Sequence, residues 1–243
     1  PISTDETRYY LNGIHVHRGE GPWAYTAVAT DGHRMFMADF PLPDASGDLP
    51  DSIIIPRAAI RSLFAVTGKD EIRFRLAPKV EARESAPPLA IFEREGVRLT
   101  AKLIDGTFPD YRRVIPKETP DMATFDRAAL RRAVSCFLAL GRRDHPAIKL
   151  TLSGGAAKLE SPWLYQDGGA AESALPYEGN IAGPYIIGIN GWHLSSILDA
   201  FGACQRITLA LAEAKPGGQC SGPIIFASPD DGRLRAIQMP MRV

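Results

Sequence analysis

Apolar and polar positions along the chain change period several times, and the changes mark out a recurring unit. In "SIIIPRAAIRSLFAVTGKDEIRFRL", the β-branched run Ile53 to Ile55 predicts a strand. Pro56 suits the first position of a helix, with Ile60, Leu63 and Phe64 as its apolar stripe. Gly68 is placed to end that helix, and Ile72 and Phe74 alternate as on a second strand. The segment "PYIIGINGWHLSSILDAFGACQRITLAL" repeats the pattern. Ile186 and Ile187 predict a strand, and Leu194, Ile197, Leu198 and Phe201 a helix stripe. Gly202 follows, and Ile207 and Leu209 alternate. Ile60, Leu63, Phe64 and Gly68 match Leu194, Ile197, Leu198 and Gly202 at one constant offset. In "ATFDRAALRRAVSCFLALGRRDHPAIKLTL", Phe125 leads in, Asp126 is the N-cap, and Leu130, Ala133, Val134 and Phe137 form the stripe. Gly141 ends that helix, and Ile148 and Leu150 resume a strand. Three strand–helix–strand units in one chain point to internal duplication.

Antiparallel signals surround these units. "LAIFEREGVRLTAKLI" predicts a hairpin turned at Gly96, and "PIIFASPDDGRLRAIQM" another turned at Asp231-Gly232. Each follows a strand–helix–strand unit, so the fold class expected is α+β. Pro116 and Pro120 in the polar stretch "VIPKETPD" mark a linker, which places a boundary near Lys117 and divides the chain into 1–116 and 117–243. The terminal "AIQM" reads as the last strand of a hairpin, leaving two methionines around a proline at the end.

Composition narrows the function classes. Hydrophobic residues make up 45% and charged residues 23% of 243, an ordinary globular balance. Lys plus Arg equals Asp plus Glu at 28 each, so bulk charge gives no argument for a nucleic-acid partner. The arrangement of charge does. Arg57 and Arg61 lie four apart on one helix, Arg127 and Arg131 on the next, joined by Arg132, Arg142 and Arg143. Acids on these helices are confined to Asp126 and Asp199 near the ends. Such a basic face suits phosphates without reading sequence; a solvated arginine-rich surface is the plainer reading. Cys136, Cys204 and Cys220 form no C-x-x-C, so neither a disulfide framework nor a zinc site is indicated, and a cytoplasmic location fits. No apolar run approaches the roughly 18 residues of a membrane span, so no membrane partner is expected. The chain opens on Pro1 rather than Met, as a fragment or a processed chain would.

Three motifs imitate chemistry. "ATDGHR" holds Asp31 and His33, but Asp-Gly favours a tight turn and no nucleophile stands near. His15 and His17 share one face of a strand, half a metal site with no third ligand; they read as solvent-facing residues alternating with Ile14 and Val16. "LSGG" and "PGGQ" lack the lysine of a phosphate loop and read as turns. No catalytic residue, metal ligand or cofactor is expected.

Five stretches then converge in order and spacing. "TRYYLNGI", "AVATDGHRM", "IIIPRAAI", "KLIDGTFPDYRRVIP" and the terminal "MPMRV" together resemble the bacterial sliding clamps, the beta subunits of DNA polymerase III. The resemblance runs over essentially the whole chain. It implies a DNA-clamp fold, with antiparallel sheets outside and helices facing a DNA channel. Residues 1–116 would be a middle domain truncated at its N-terminus and 117–243 the C-terminal domain. It implies a non-catalytic processivity factor that encircles duplex DNA and tethers polymerase, clamp loader and repair proteins, raising effective concentration.

The resemblance also implies a peptide-binding pocket between middle and last domains. Its walls would be Leu11, Thr30, Gly32, His33, Arg34 and Met35, continued by Pro109, Arg113 and Val114. Asn190, His193, Ile237, Met239, Pro240, Met241 and Arg242 would complete it. Flexible methionines suit a docking site shared by several partners. For DNA it implies Tyr9, Tyr10, Arg57, Arg61, Arg127 and Arg131.

The chain also departs from the family pattern. The family's first domain, and the first strand and helix of its middle domain, have no counterpart here. The expectation is that this chain does not close the homodimeric ring formed by full-length clamps. Ala58 replaces a residue that is often basic, His193 one usually aromatic, Met35 a leucine, and Gln238 one commonly apolar. Altered peptide preference is expected. The second reading is a clamp-derived, peptide-binding paralogue that does not encircle DNA.

Overall fold

Ile53 to Ile55 do form a strand, and the helix after them starts one residue later than the proline signal implies. Pro56 closes the strand Ser52–Pro56 in extended conformation (φ −66°, ψ 147°), and the helix runs Arg57–Thr67. Gly68 ends it with positive φ, its N–H bonded to the Phe64 carbonyl. The computed structural model describes residues 1–19, 24–41, 51–68, 71–77, 88–140, 146–161, 170–181, 183–212 and 218–243. Gly141, Arg142, Arg143, Pro216, Gly217 and residues 78–87 lie outside them. The chain divides into two units, Pro1–Asp110 and Tyr111–Val243, six residues ahead of the boundary read from "VIPKETPD".

In the first unit, β1 (Gly13–Arg18), β2 (Tyr25–Thr30), β3 (Arg34–Phe40) and β4 (Ser52–Pro56) form antiparallel pairs in the order β4-β1-β2-β3. Helix α1 (Arg57–Thr67) leads from β4 to a second sheet of β5 (Arg73–Leu76), β6 (Leu89–Arg94) and β7 (Val97–Lys102). Gly96, at φ 74°, turns the β6–β7 hairpin as its position predicts. Ala59 and Leu63 pack with Ile55, Ala90, Phe92 and Leu103, and Ile60 lies partly buried against them. Phe64 does not join this core. It is 66% exposed, so of the expected stripe Ile60 and Leu63 face the core, with Ala59 and Thr67 buried beside them, and Phe64 does not.

The second unit carries the strand–helix–strand motif twice. β8 (Asp121–Asp126) enters α2 (Arg127–Leu140), which leads to β9 (Ala147–Ser153). β13 (Tyr185–Asn190) enters α3 (Gly191–Ala200), which leads to β14 (Arg206–Leu211). β10 (Ala156–Glu160) and β11 (Glu172–Pro176) complete one sheet, in the order β11-β10-β9-β13. In the other, β12 (Glu178–Gly179), β8, β14, β15 (Ile224–Ser228) and β16 (Asp231–Gln238) follow one another. Each helix therefore carries the chain from one sheet to the other, and α2 and α3 pack together. Their stripes are as the periodicity predicts: Leu130, Ala133, Val134 and Phe137 are buried, as are Leu194, Ile197, Leu198 and Phe201. Asp126 caps α2 by accepting the Ala129 N–H at 2.6 Å.

Two local expectations are corrected. The β15–β16 hairpin turns at Pro229-Asp230 rather than Asp231-Gly232, with Ser228 paired to Asp231. The Ser228 hydroxyl accepts the Asp230 N–H, and the Asp230 carboxylate accepts the N–H groups of Gln205 and Arg206 (2.8 and 2.9 Å), so side-chain bonds fix the turn two residues early. The histidines of β1 are not both solvent-facing. His17 is buried with its Nδ1 2.6 Å from the Arg18 carbonyl, and half-buried His15 stacks on Phe108 at 4.6 Å. No group of three metal-ligating side chains occurs among the described residues.

Candidate peptide-docking and DNA-facing surfaces

The "ATDGHR" segment is the hairpin turn between β2 and β3. Asp31 Oδ1 accepts the N–H groups of His33 and Arg34 (3.1 and 3.0 Å), and Oδ2 accepts Arg34 Nε at 2.9 Å. Thr30 Oγ1 donates to the Arg34 carbonyl and accepts the Gly32 N–H. Gly32 sits at φ 89°, the conformation for which glycine is needed here. Burial alone would raise the Asp31 pKa. The hydrogen bonds from the Arg34 side chain and from the Arg34 and His33 N–H groups outweigh it and hold the carboxyl below its ordinary value. These bonds occupy Asp31 in shaping a rigid turn that presents His33 outward.

Of the other first-unit residues named for docking, Leu11 and Met35 are buried. Pro109 is exposed. In the second unit, Arg113 and Val114 lie exposed on the 3-10 turn Tyr111–Val114. Asn190 ends β13 and caps α3: its Oδ1 accepts the N–H groups of Trp192 and His193 (3.0 and 3.2 Å). This cap fixes half-buried His193 and exposed Trp192 at the start of the helix. Trp192 was not singled out from the sequence, although a cap at Asn190 would have placed it.

The chain end is tied to β13. The Met241 N–H donates to the Gly188 carbonyl at 2.7 Å, forming an isolated antiparallel bridge. Gly188 permits the approach, because a Cβ there would collide with the Met241 carbonyl and the Val243 side chain. Ile237 and Gln238 are buried, while Met239 and Met241 are 42% and 38% exposed. The two methionines are thus held on a fixed backbone with their side chains toward solvent.

The arginines divide into two kinds. Arg127 donates to three carbonyls at the end of α3: Cys204 (Nε, 2.8 Å), Leu198 (3.2 Å) and Gly202 (3.3 Å). A cation there complements the helix dipole. Arg131 pairs with Asp199 at 2.7 and 3.2 Å and also bonds Ser135. These two arginines join α2 to α3. On α1, Arg61 is exposed and Arg57 half-buried. Tyr9 is exposed, and Tyr9 and Tyr10 meet edge-on at 5.8 Å beside Gly106, where a Cβ would crowd the Tyr9 ring and the Tyr10 Cβ.

Residues 1–110 match the family model "DNA polymerase III beta subunit, central domain". The beta sliding clamp of Caulobacter vibrioides (strain NA1000 / CB15N) is 32% identical over 247 residues, covering 100% of this chain and 61% of the relative. The crystal structure of a sliding clamp (DNA polymerase III subunit beta) from Bartonella birtlesii bound to griselimycin superposes with a TM-score of 0.81 at 30% identity. That match covers all of this chain and 61% of the neighbour. A Caulobacter crescentus DNA polymerase sliding clamp gives 0.80 at 31% identity, covering 100% and 60%. The chain thus spans about three fifths of the length of the relatives it matches. By sequence along its whole length and by its fold, it is similar to the beta sliding clamps of DNA polymerase III, and residues 1–110 match their central domain.

Proposed function

We propose that this chain is the peptide-docking part of a DNA sliding clamp, a non-catalytic processivity factor of the cytoplasm. Residues 1–116 serve as the middle clamp domain and 117–243 as the C-terminal one. Partners are duplex DNA, met through phosphates, and polymerase, clamp-loader and repair proteins, each docking through a short peptide. The observation that carries the reading is the terminal "MPMR", whose two exposed methionines are clamped onto β13 through the Gly188–Met241 bridge. Exposed, flexible thioethers on a fixed backbone accommodate several apolar side chains. Val114, and His193 and Trp192 at the start of α3, supply further docking groups.

The test uses griselimycin, the ligand bound in the Bartonella birtlesii clamp. Met239→Ala combined with Met241→Ala abolishes its binding in calorimetry while the circular dichroism spectrum is retained. Unchanged affinity in the double variant sinks the docking assignment.

For DNA, the reading rests on Tyr9, Tyr10, Arg57 and Arg61, since Arg127 and Arg131 are engaged in holding α3. That engagement also favours the second reading, a docking module that does not encircle DNA. A closed clamp stays on nicked circular DNA and runs off after linearisation. A module that never encircles shows no such difference.

A further inference from the structure

Gln238 is the one fully buried amide side chain among the described residues, at 0% exposure, at the junction between β16 and the terminal "MPMR". Its Nε2 donates to the Asn190 carbonyl at 3.1 Å, while its Oε1, also buried, has no hydrogen-bond partner among the described residues. The opposite orientation of the amide would set its oxygen against the Asn190 carbonyl oxygen and is excluded by repulsion. An amide buried whole with an empty acceptor lowers stability relative to an apolar side chain of the same shape. Packing therefore gives no reason for this residue.

Its donor does. Asn190 is the residue whose side chain caps α3 and fixes Trp192 and His193. Two residues earlier on the same strand, Gly188 receives Met241. The tail is thus fastened to β13 at two points, by the Gln238 side chain before Met239 and by the Met241 N–H after Pro240. Between them Met239 and Pro240 have a fixed course. An apolar residue at 238 would leave only the second fastening.

We propose that Gln238 is a positioning residue of the peptide-docking surface: its buried amide couples the methionine tail to the cap of α3, so that docking affinity is gained at the expense of fold stability. This rests on the docking reading above. It predicts opposite movements in one variant. In Gln238→Met, nearly the same in volume, thermal stability stays level or rises. Griselimycin binds about fivefold more weakly or worse, the size of one lost hydrogen bond. Exchange of the Met241 amide hydrogen speeds up in the same variant. Gln238→Glu, which keeps the shape and removes the donor, does not restore affinity.

The outcomes separate. If the wild-type chain fails to bind griselimycin, the docking reading falls and this inference with it. If the wild type binds and Gln238→Met binds equally well, only this inference is overturned. A lower melting temperature in Gln238→Met with unchanged affinity assigns the residue to the fold alone and likewise overturns it.

Discussion

Helices α1 and α3 carry one apolar register in two settings. Phe64 of α1 corresponds to Leu198 of α3 and, in the same alignment of stripes, to Val134 of α2. Leu198 and Val134 are fully buried; Phe64 is 66% exposed. The difference is the neighbour. In the second unit α2 and α3 pack against each other as well as against the strands of both sheets. Among the described residues of the first unit, α1 is the one α-helix, and its covered side is limited to what β4 and the β5–β6–β7 sheet reach. An apolar helix position is buried by a partner, not by its own periodicity.

The arginines repeat the lesson. Arg57 and Arg61 on α1 stand at the register positions of Arg127 and Arg131 on α2. On α2 the pair binds the last turn of α3 and Asp199. The first unit offers no second helix end among its described residues, so the same spacing serves a surface. One sequence pattern thus yields an internal clasp in one unit and a basic face in the other.

Breaking the apolar register gives the largest contrast. Leu198→Ala should cost about 2–5 kcal/mol by denaturant unfolding, through lost burial and a residual cavity. Phe64→Ala, at the matching position, should stay within about 0.5 kcal/mol, as exposed substitutions do. Equal losses at both sites would show that α1 is covered in solution.

The arginine contrast is smaller and splits by readout. Arg127→Ala should lower stability by about 2 kcal/mol, since it strands carbonyls at the end of α3. Arg57→Ala with Arg61→Ala should leave stability nearly unchanged, weaken duplex DNA binding and reduce its salt slope by about 2. Fluorescence anisotropy over a salt series measures the second effect. A DNA defect in Arg127→Ala at full stability would reverse the assignment.

The smallest effect is electrostatic and confined to the first unit. The Asp31 carboxyl lies below its ordinary value, so its bonds to Arg34 and His33 contribute stability above the unfolded pKa. That contribution is lost as pH falls below about 4 and through the lower folded value. Asp31→Asn should flatten this acid limb, with little change at neutral pH in the second unit. An identical acid profile in the variant places the sensitivity elsewhere.

Much of the fold was legible because it is local. The α2 and α3 stripes, the Asp126 cap, the Gly68 stop and the Gly96 hairpin follow from spacing and backbone preference over a few residues. Features set by distant partners were not legible. The β15–β16 turn moved because Asp230 binds Gln205 and Arg206, some two dozen residues away in sequence. His17 is inside because its strand is covered, and its chemistry gave no sign of that. In the site, the terminal methionines were recognisable from "MPMRV". The Gly188 bridge that fastens them and the Gln238–Asn190 bond were not.

The sequence by itself determined the repeated strand–helix–strand units, the Asp126 cap and Gly68 stop, the tight turn at "TDGHR" and the resemblance to the beta sliding clamps. These depend on periodicity, on glycine and proline backbone limits, and on motif order. Tertiary structure decided which copies of the repeat are covered, which arginines are tied to another helix, and how the tail is held. Burial and hydrogen bonding are properties of pairs, and a residue's partner across the fold is not written in its own neighbourhood.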